Sequence, residues 1–214
     1  MKLAPADDFY LAAHDGIGGR LLITGELLGA GLGAALLGEL MFWRRLHPDG
    51  DVVHVIDPRP TGDRATLVLL ERLAATPGPH ALRRWIAHLA TSGMAVDLVE
   101  KRLIAAGAIR WEAKRRLLGS HPPQLVFADP KSTGEPTTRI RTHLSYNETL
   151  ETADLMLATL IIATGLDAYV LDTCNPRDRA RLFDQFRRHL PRALGDLAGQ
   201  AKGAAEDLAA TRIA

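Results

Sequence analysis

Eight histidines, one cysteine and one isolated carboxylate are the residues best able to carry chemistry in this chain. The histidines are His14, His47, His54, His80, His88, His121, His143 and His189. A zinc site needs His, Cys or acidic ligands at short fixed spacings, such as two histidines one helical turn apart. No two histidines stand at such a spacing, and a lone cysteine offers no Cys-x-x-Cys pair, so no metal is expected. Cys174 precedes Asn175 and Pro176 at a predicted helix start, where a thiolate is favoured. With no histidine near it in sequence, it reads as a structural cysteine. No Gly-x-Ser-x-Gly nucleophile motif occurs. Gly16-Ile17-Gly18-Gly19 lacks both the later glycine of a dinucleotide loop and the Gly-Lys-Ser/Thr of a P-loop. Gly29-Ala30-Gly31-Leu32-Gly33 lies inside a helical run rather than between a strand and a helix. That leaves Glu39, set in an apolar stretch. A buried carboxylate must find a partner or take up a proton. The expected partner is an arginine or a helix N-terminus. No catalytic residue and no cofactor are assigned.

Basic residues are the other candidates. They cluster at Arg44/Arg45, Arg83/Arg84, Lys101/Arg102, Lys114/Arg115/Arg116, Arg139/Arg141 and Arg177–Arg188. Arginine outnumbers lysine, which suits bidentate phosphate contacts but also reads as GC-rich codon usage. Acids nearly balance the bases, giving a formal net charge of +1. The whole molecule is therefore no electrostatic magnet for nucleic acid or membrane. A single cysteine allows no internal disulfide and fits a reducing cytoplasm. Residues 1–8 lack the charged segment and apolar run of a secretory signal.

The elements that position these residues are mostly helical. Leu27–Trp43 is apolar apart from Glu39 and rich in glycine and alanine. A membrane span needs about 20 apolar residues; this run is shorter, holds a carboxylate and is closed by Arg44 and Arg45. It is expected to be a buried central helix opened by Thr24 or Gly25 and running to about Arg45, with its glycines allowing close packing. Phe9–His14 and Arg20–Ile23, on either side of a glycine-rich turn, read as a β-hairpin, although Tyr10–Ala13 also fits the end of a short helix. Pro48-Asp49-Gly50 is a turn joining Leu46 and His47 to a strand at Val52–Ile56. Helices are expected at Ala65–Ala75, Ala81–Thr91 and Met94–Ala106, the last stopped by Gly107. Leu125–Ala128 is a short strand and Asp129–Thr138 a polar loop. Helices centred on Glu148–Thr164, Arg177–His189 and Arg192–Ala210 follow. The last must pack through Leu194, Leu197, Ala201, Ala204 and Leu208, because an Ala-rich helix is marginal alone. The fold class is mainly α: one helical domain over 1–214 with a central buried helix and small β-hairpins.

The order of these features resembles the Golgi phosphoprotein three family of phosphatidylinositol-4-phosphate-binding adaptors. The likeness rests on Phe9–His14 with its Asp15 and glycine turn, on Gly31-Leu32 through Leu36-Leu37-Gly38-Glu39-Leu40, and on Arg44-Arg45-Leu46. Pro60-Thr61-Gly62-Asp63, Trp85-Ile86, Leu103 and Gly107-Ala108-Ile109 follow in family order. The resemblance covers most of Ala6–Leu118 and weakens beyond. It implies a mostly helical domain with no established enzyme site, a shallow basic phosphoinositide pocket and a hairpin for self-association. The family's pocket tryptophan and arginine fall here on Thr24 and Gly33, and no arginine stands around Gly93–Val96. Composition points to a bacterial-type relative, for which phosphatidylinositol 4-phosphate is not the expected ligand.

Three functions fit. The first is a peripheral protein on the inner face of the membrane, contacting anionic lipid headgroups through Arg20, Arg44, Arg45, Lys101 and Arg102, which the resemblance places near the family pocket. The second is a protein-interaction scaffold or oligomer, associating through 109–138. The third is winged-helix-like nucleic-acid binding by Leu27–Arg45 and Val52–Ile56. Net charge disfavours the third, and no nucleic-acid partner is expected.

Overall fold

The computed structural model describes residues 4–113 and 123–211. Helix α1 (Pro5–Ala12) and helix α2 (Gly25–Phe42) form its centre. The N-terminal segment is thus a helix and not the first strand of a hairpin. Pro5 in the first turn presets helical φ, and Asp7 and Asp8 suit the positive helix end. Of the expected hairpin, a single bridge between His14 and Leu21 remains. Thr24 caps α2, as its position suggested.

Helix α2 is long and apolar enough to cross a membrane, but 72% of it is buried by neighbouring helices. From Leu28 to Leu40 every residue is buried. A winged-helix role would need an exposed face on this rod, and that stretch offers none. A Cβ on Gly31 would stand 2.3 Å from the ring of Phe9, so α1 lies directly on the α2 backbone.

The hairpin of β1 (Leu46–Asp49) and β2 (Val52–Val55) follows, its turn at Gly50 in the left-handed region. Helix α3 (Arg64–Ala75) then leads to β3 (His80–Ala81), which pairs antiparallel with β2. Helices α4 (Leu82–Thr91) and α5 (Met94–Ala105) pack against α2. Gly107, at φ 69°, ends α5 as expected.

Strands β4 (Ile109–Glu112) and β5 (Gln124–Phe127) form a second antiparallel pair. Lys114, Arg115 and Arg116 lie outside the described residues. The polar segment Asp129–Thr138 is not a loop. It forms a 3-10 turn at Pro130–Thr133 and the start of α6 (Glu135–Ser145). Pro130 and Pro136 both occupy first-turn positions, where a missing N–H costs nothing, so they open helical turns instead of breaking them.

Helices α7 (Thr152–Ala163), α8 (Asp167–Val170), α9 (Pro176–His189) and α10 (Arg192–Thr211) complete the chain. In α10, Leu194, Leu197, Ala201 and Ala204 are buried and Leu208 half-buried, the face its sequence required.

Candidate functional site

Glu39, 4% exposed, meets both kinds of partner its burial demanded. Arg102 on α5 grips it twice, Nη1 to Oε2 at 2.9 Å and Nη2 to Oε1 at 3.2 Å. The Ala6 N–H, in the first turn of α1, donates to Oε1 at 2.9 Å. The same guanidinium donates to Asp7 through Nε at 2.7 Å and to Asp63 through Nη1 at 3.1 Å. Asp63 also caps α3 by accepting the Thr66 N–H at 2.8 Å. One cation thus fastens α1, α2, α3 and α5 and faces three carboxylates.

Burial raises Glu39 despite the arginine, and it pushes Asp7 up to about 6. Burial would raise Asp63 too, but the Thr66 N–H and Arg102 together hold it below its ordinary value. A second fastening joins Arg139 on α6 to Asp154 at 2.7 Å and Asp8 at 2.6 Å. Both networks hold helices in place. Among the described residues no group of three or more His, Cys, Asp or Glu side chains is arranged to hold a metal.

The five candidate headgroup residues fall in three places. Arg102 is only 15% exposed and committed to its carboxylates. Lys101 beside it is solvent-facing and pairs with Asp97 at 2.7 Å. Arg45 binds the Asp57 carboxylate and reaches the Pro60 carbonyl oxygen at 3.4 Å. Arg20 and Arg44 are exposed, but they flank opposite ends of α2, a rod about 27 Å long by its rise per residue. No single headgroup touches both.

Arg44 marks the most distinctive of these places. Trp43 caps the C-terminus of α2 and Arg44 follows it at φ 52°. The Arg45 N–H reaches back to the Leu40 carbonyl and the Arg44 N–H to that of Met41, each at 2.9 Å. This is a Schellman ending, in which the left-handed residue is usually glycine. An arginine there bears a cost of about 1 kcal/mol. The chain turn presents Phe42 (44% exposed) and Trp43 (56%) to solvent. Across the hairpin the Ile56 N–H bonds the Arg45 carbonyl at 3.0 Å, which sets Ile56, 58% exposed, at the same corner.

Arg59 donates to Asp57 from Nε at 2.9 Å and from Nη2 at 2.8 Å. These bonds and the Arg59 backbone N–H, with Arg45 adding its charge, hold Asp57 down to about 2. Asp57 therefore stays ionised and cancels one of its two arginines. The corner carries three arginines, one carboxylate and three exposed apolar side chains. Sequence reasoning picked out Arg44 and Arg45 but assigned Phe42 and Trp43 to the buried rod and passed over Ile56 and Arg59. The signal available was an aromatic pair directly before an arginine pair.

The two family pocket positions are otherwise employed. The Thr24 Oγ1 accepts the Leu27 N–H at 3.4 Å. A Cβ on Gly33 would stand 3.2 Å from the Leu89 Cβ, so α4 occupies the space an arginine would need. A family model described as Golgi phosphoprotein 3 (GPP34) matches residues 6–208, far past the point where the motif resemblance weakens. No curated protein matches the chain.

Proposed function

The chain belongs to the Golgi phosphoprotein 3 (GPP34) family, and from that premise we propose that it is a non-enzymatic peripheral protein that docks on anionic lipid headgroups at the inner face of a membrane, through the corner at the end of α2. The observation that carries this reading is the left-handed Arg44 beside exposed Phe42 and Trp43. Glycine would end the helix more cheaply, and an outlier kept at such a cost points to use of the side chain.

Magnitudes decide how the parts share the work. Arg44 and the surplus arginine over Asp57 give two net charges. Near an anionic surface each is worth about 1 kcal/mol, so charge alone supplies roughly 30-fold enrichment. That selects anionic lipid but holds it weakly. Trp43, Phe42 and Ile56 add apolar contact, and tryptophan suits the headgroup level.

Co-sedimentation with vesicles tests this. Wild type is expected to pellet with phosphatidylglycerol–phosphatidylcholine vesicles at low salt, to be released at high salt and to stay soluble with phosphatidylcholine alone. Arg44→Gly is expected to fold at least as stably while binding about fivefold more weakly. Equal binding to both vesicles, or an Arg44→Gly protein that binds like wild type, overturns the proposal.

A second reading, self-association through 109–138, is favoured by Trp111 on β4. It is 46% exposed, and its Nε1–H donates to Glu100 at 3.2 Å. Sedimentation of wild type and Trp111→Ala decides it. A dimer weakened by the substitution supports it, and a monomer in both counts against it.

A further inference from the structure

Helices α3 and α5 leave a groove between them, an open cavity of about 560 Å³. That volume falls in the range of small-molecule pockets. Its floor is apolar: Ala65, Val68, Met94, Leu98 and Ala105. Along α3, Arg64, Val68 and Arg72 recur every four residues and so share one face. Along α5, Met94, Leu98 and Lys101 stand four and then three residues apart, which also puts them on one face. The floor is therefore flanked by cations on both walls.

The charges that face the groove do not cancel. Asp63 and Arg102 answer each other where they meet it, at 3.1 Å. Asp97 is taken by Lys101. Arg64 and Arg72 are exposed and have no ion-pair partner among the described residues. Asp7 and Glu39, the other carboxylates on Arg102, do not line the cavity. The rim thus holds two uncommitted guanidinium groups above a strip of apolar side chains.

We propose that this groove binds a single-chain amphiphilic anion, the carboxylate or phosphate head bridging Arg64 and Arg72 and the apolar chain lying along Val68, Met94 and Leu98. Guanidinium groups match both head types with paired donors. A free alkyl acid and a short-chain lipid share this chemistry. The site is separate from the Trp43 corner and does not depend on it.

Titration calorimetry on the full chain tests the assignment, using octanoate, decanoate and dodecanoate below their micellar concentrations, with decyl phosphate and decanol. Dihexanoyl phosphatidylglycerol forms the lipid arm. Affinity is expected to rise with each methylene, by at most about fourfold, and decanol to bind at least tenfold more weakly than decanoate. Both arginines are exposed, so the double substitution Arg64→Ala/Arg72→Ala leaves the fold intact and is expected to weaken decanoate at least tenfold. Met94→Trp is expected to fill the groove and abolish the chain-length dependence. Trp43→Ala is expected to change nothing here, which separates failure of this site from failure of the membrane corner. Tighter binding of decanoate than of the phosphatidylglycerol identifies a free acid as the ligand source, and the reverse order a lipid. Absence of binding, equal binding of decanol, or indifference to the arginine substitutions overturns the proposal.

Discussion

Arg102→Ala is expected to destabilise the protein by about 3–5 kcal/mol, the usual cost of leaving buried carboxylates without their cation. The loss is large because the guanidinium is the meeting point of Asp7, Glu39 and Asp63, and because Glu39 has only the Ala6 N–H as its remaining hydrogen-bond donor in the described network. The fall in melting temperature should be about 2–4 °C per kcal/mol for a chain of this size. Lysine in its place should recover little, since one ammonium cannot span the two Glu39 oxygens and Asp7 together.

The same variant carries a pH signature. Burial holds Asp7 at about 6 and Glu39 above its ordinary value in the folded protein. A carboxyl raised on folding stabilises below its unfolded pKa, and that contribution disappears as pH rises through the folded pKa. Removing Arg102 pushes both carboxyls higher still. The variant's two carboxyls bind more protons at pH 5 than at pH 8, and a protonated carboxyl needs no cation. The destabilisation should therefore be smaller at pH 5 than at pH 8, by about 1.4 kcal/mol per pH unit per extra bound proton. His14 and His80 are lowered by burial and contribute with the opposite sign. They are present in both proteins and cancel in the difference, so the test is the difference between two denaturant series, not one profile. A cost that is the same at both pH values would show that the carboxylates are not what Arg102 compensates.

Legibility in the sequence divides along the range of the interactions. Helix α2 was readable because its evidence is local: a threonine cap, an unbroken apolar run and a buried carboxylate that required a partner. The β1–β2 hairpin was readable for the same reason, through Pro48-Asp49-Gly50. Helix α1 reads first as a hairpin strand, with the end of a short helix as the alternative, because eight residues of mixed pattern give little periodicity. What makes it helical is Pro5 below and Arg102 and Arg139 reaching Asp7 and Asp8 from 95 and 131 residues away. The family match makes the whole of residues 6–208 one unit of comparison, yet it leaves the site open, because Thr24 and Gly33 stand at the pocket positions. The corner stayed hidden because it depends on Arg44 adopting a conformation that arginine rarely takes. Sequence pattern places the end of an apolar run; it does not show which way the chain turns there.

Gly29→Val is expected to cost about 3 kcal/mol, at the upper end of what overpacking a buried contact usually does. A Cβ at Gly29 would lie 2.8 Å from the Ala90 Cα and 3.0 Å from its Cβ. Both obstacles belong to the body of α4 and cannot swing aside, so α2 and α4 must part along their contact. Gly38 looks similar in sequence but faces the Met156 Cε at 2.2 Å, the free end of a flexible thioether. Gly38→Ala should cost little, because helix propensity returns about 1 kcal/mol. Gly199 in α10 faces open space, with nothing within 4 Å, and Gly199→Ala should stabilise by about 0.5–1 kcal/mol. Thermal unfolding of the three variants should therefore rank Gly199→Ala above Gly38→Ala, and Gly38→Ala well above Gly29→Val. The ranking has a functional edge. The contact that excludes a side chain at Gly29 is continuous with Leu89 over Gly33, so close packing of α4 on α2 and the lack of an arginine pocket there are one structural fact. If Gly29→Val unfolds at the wild-type temperature, the two helices are not touching. The space at Gly33 would then be open to a ligand after all.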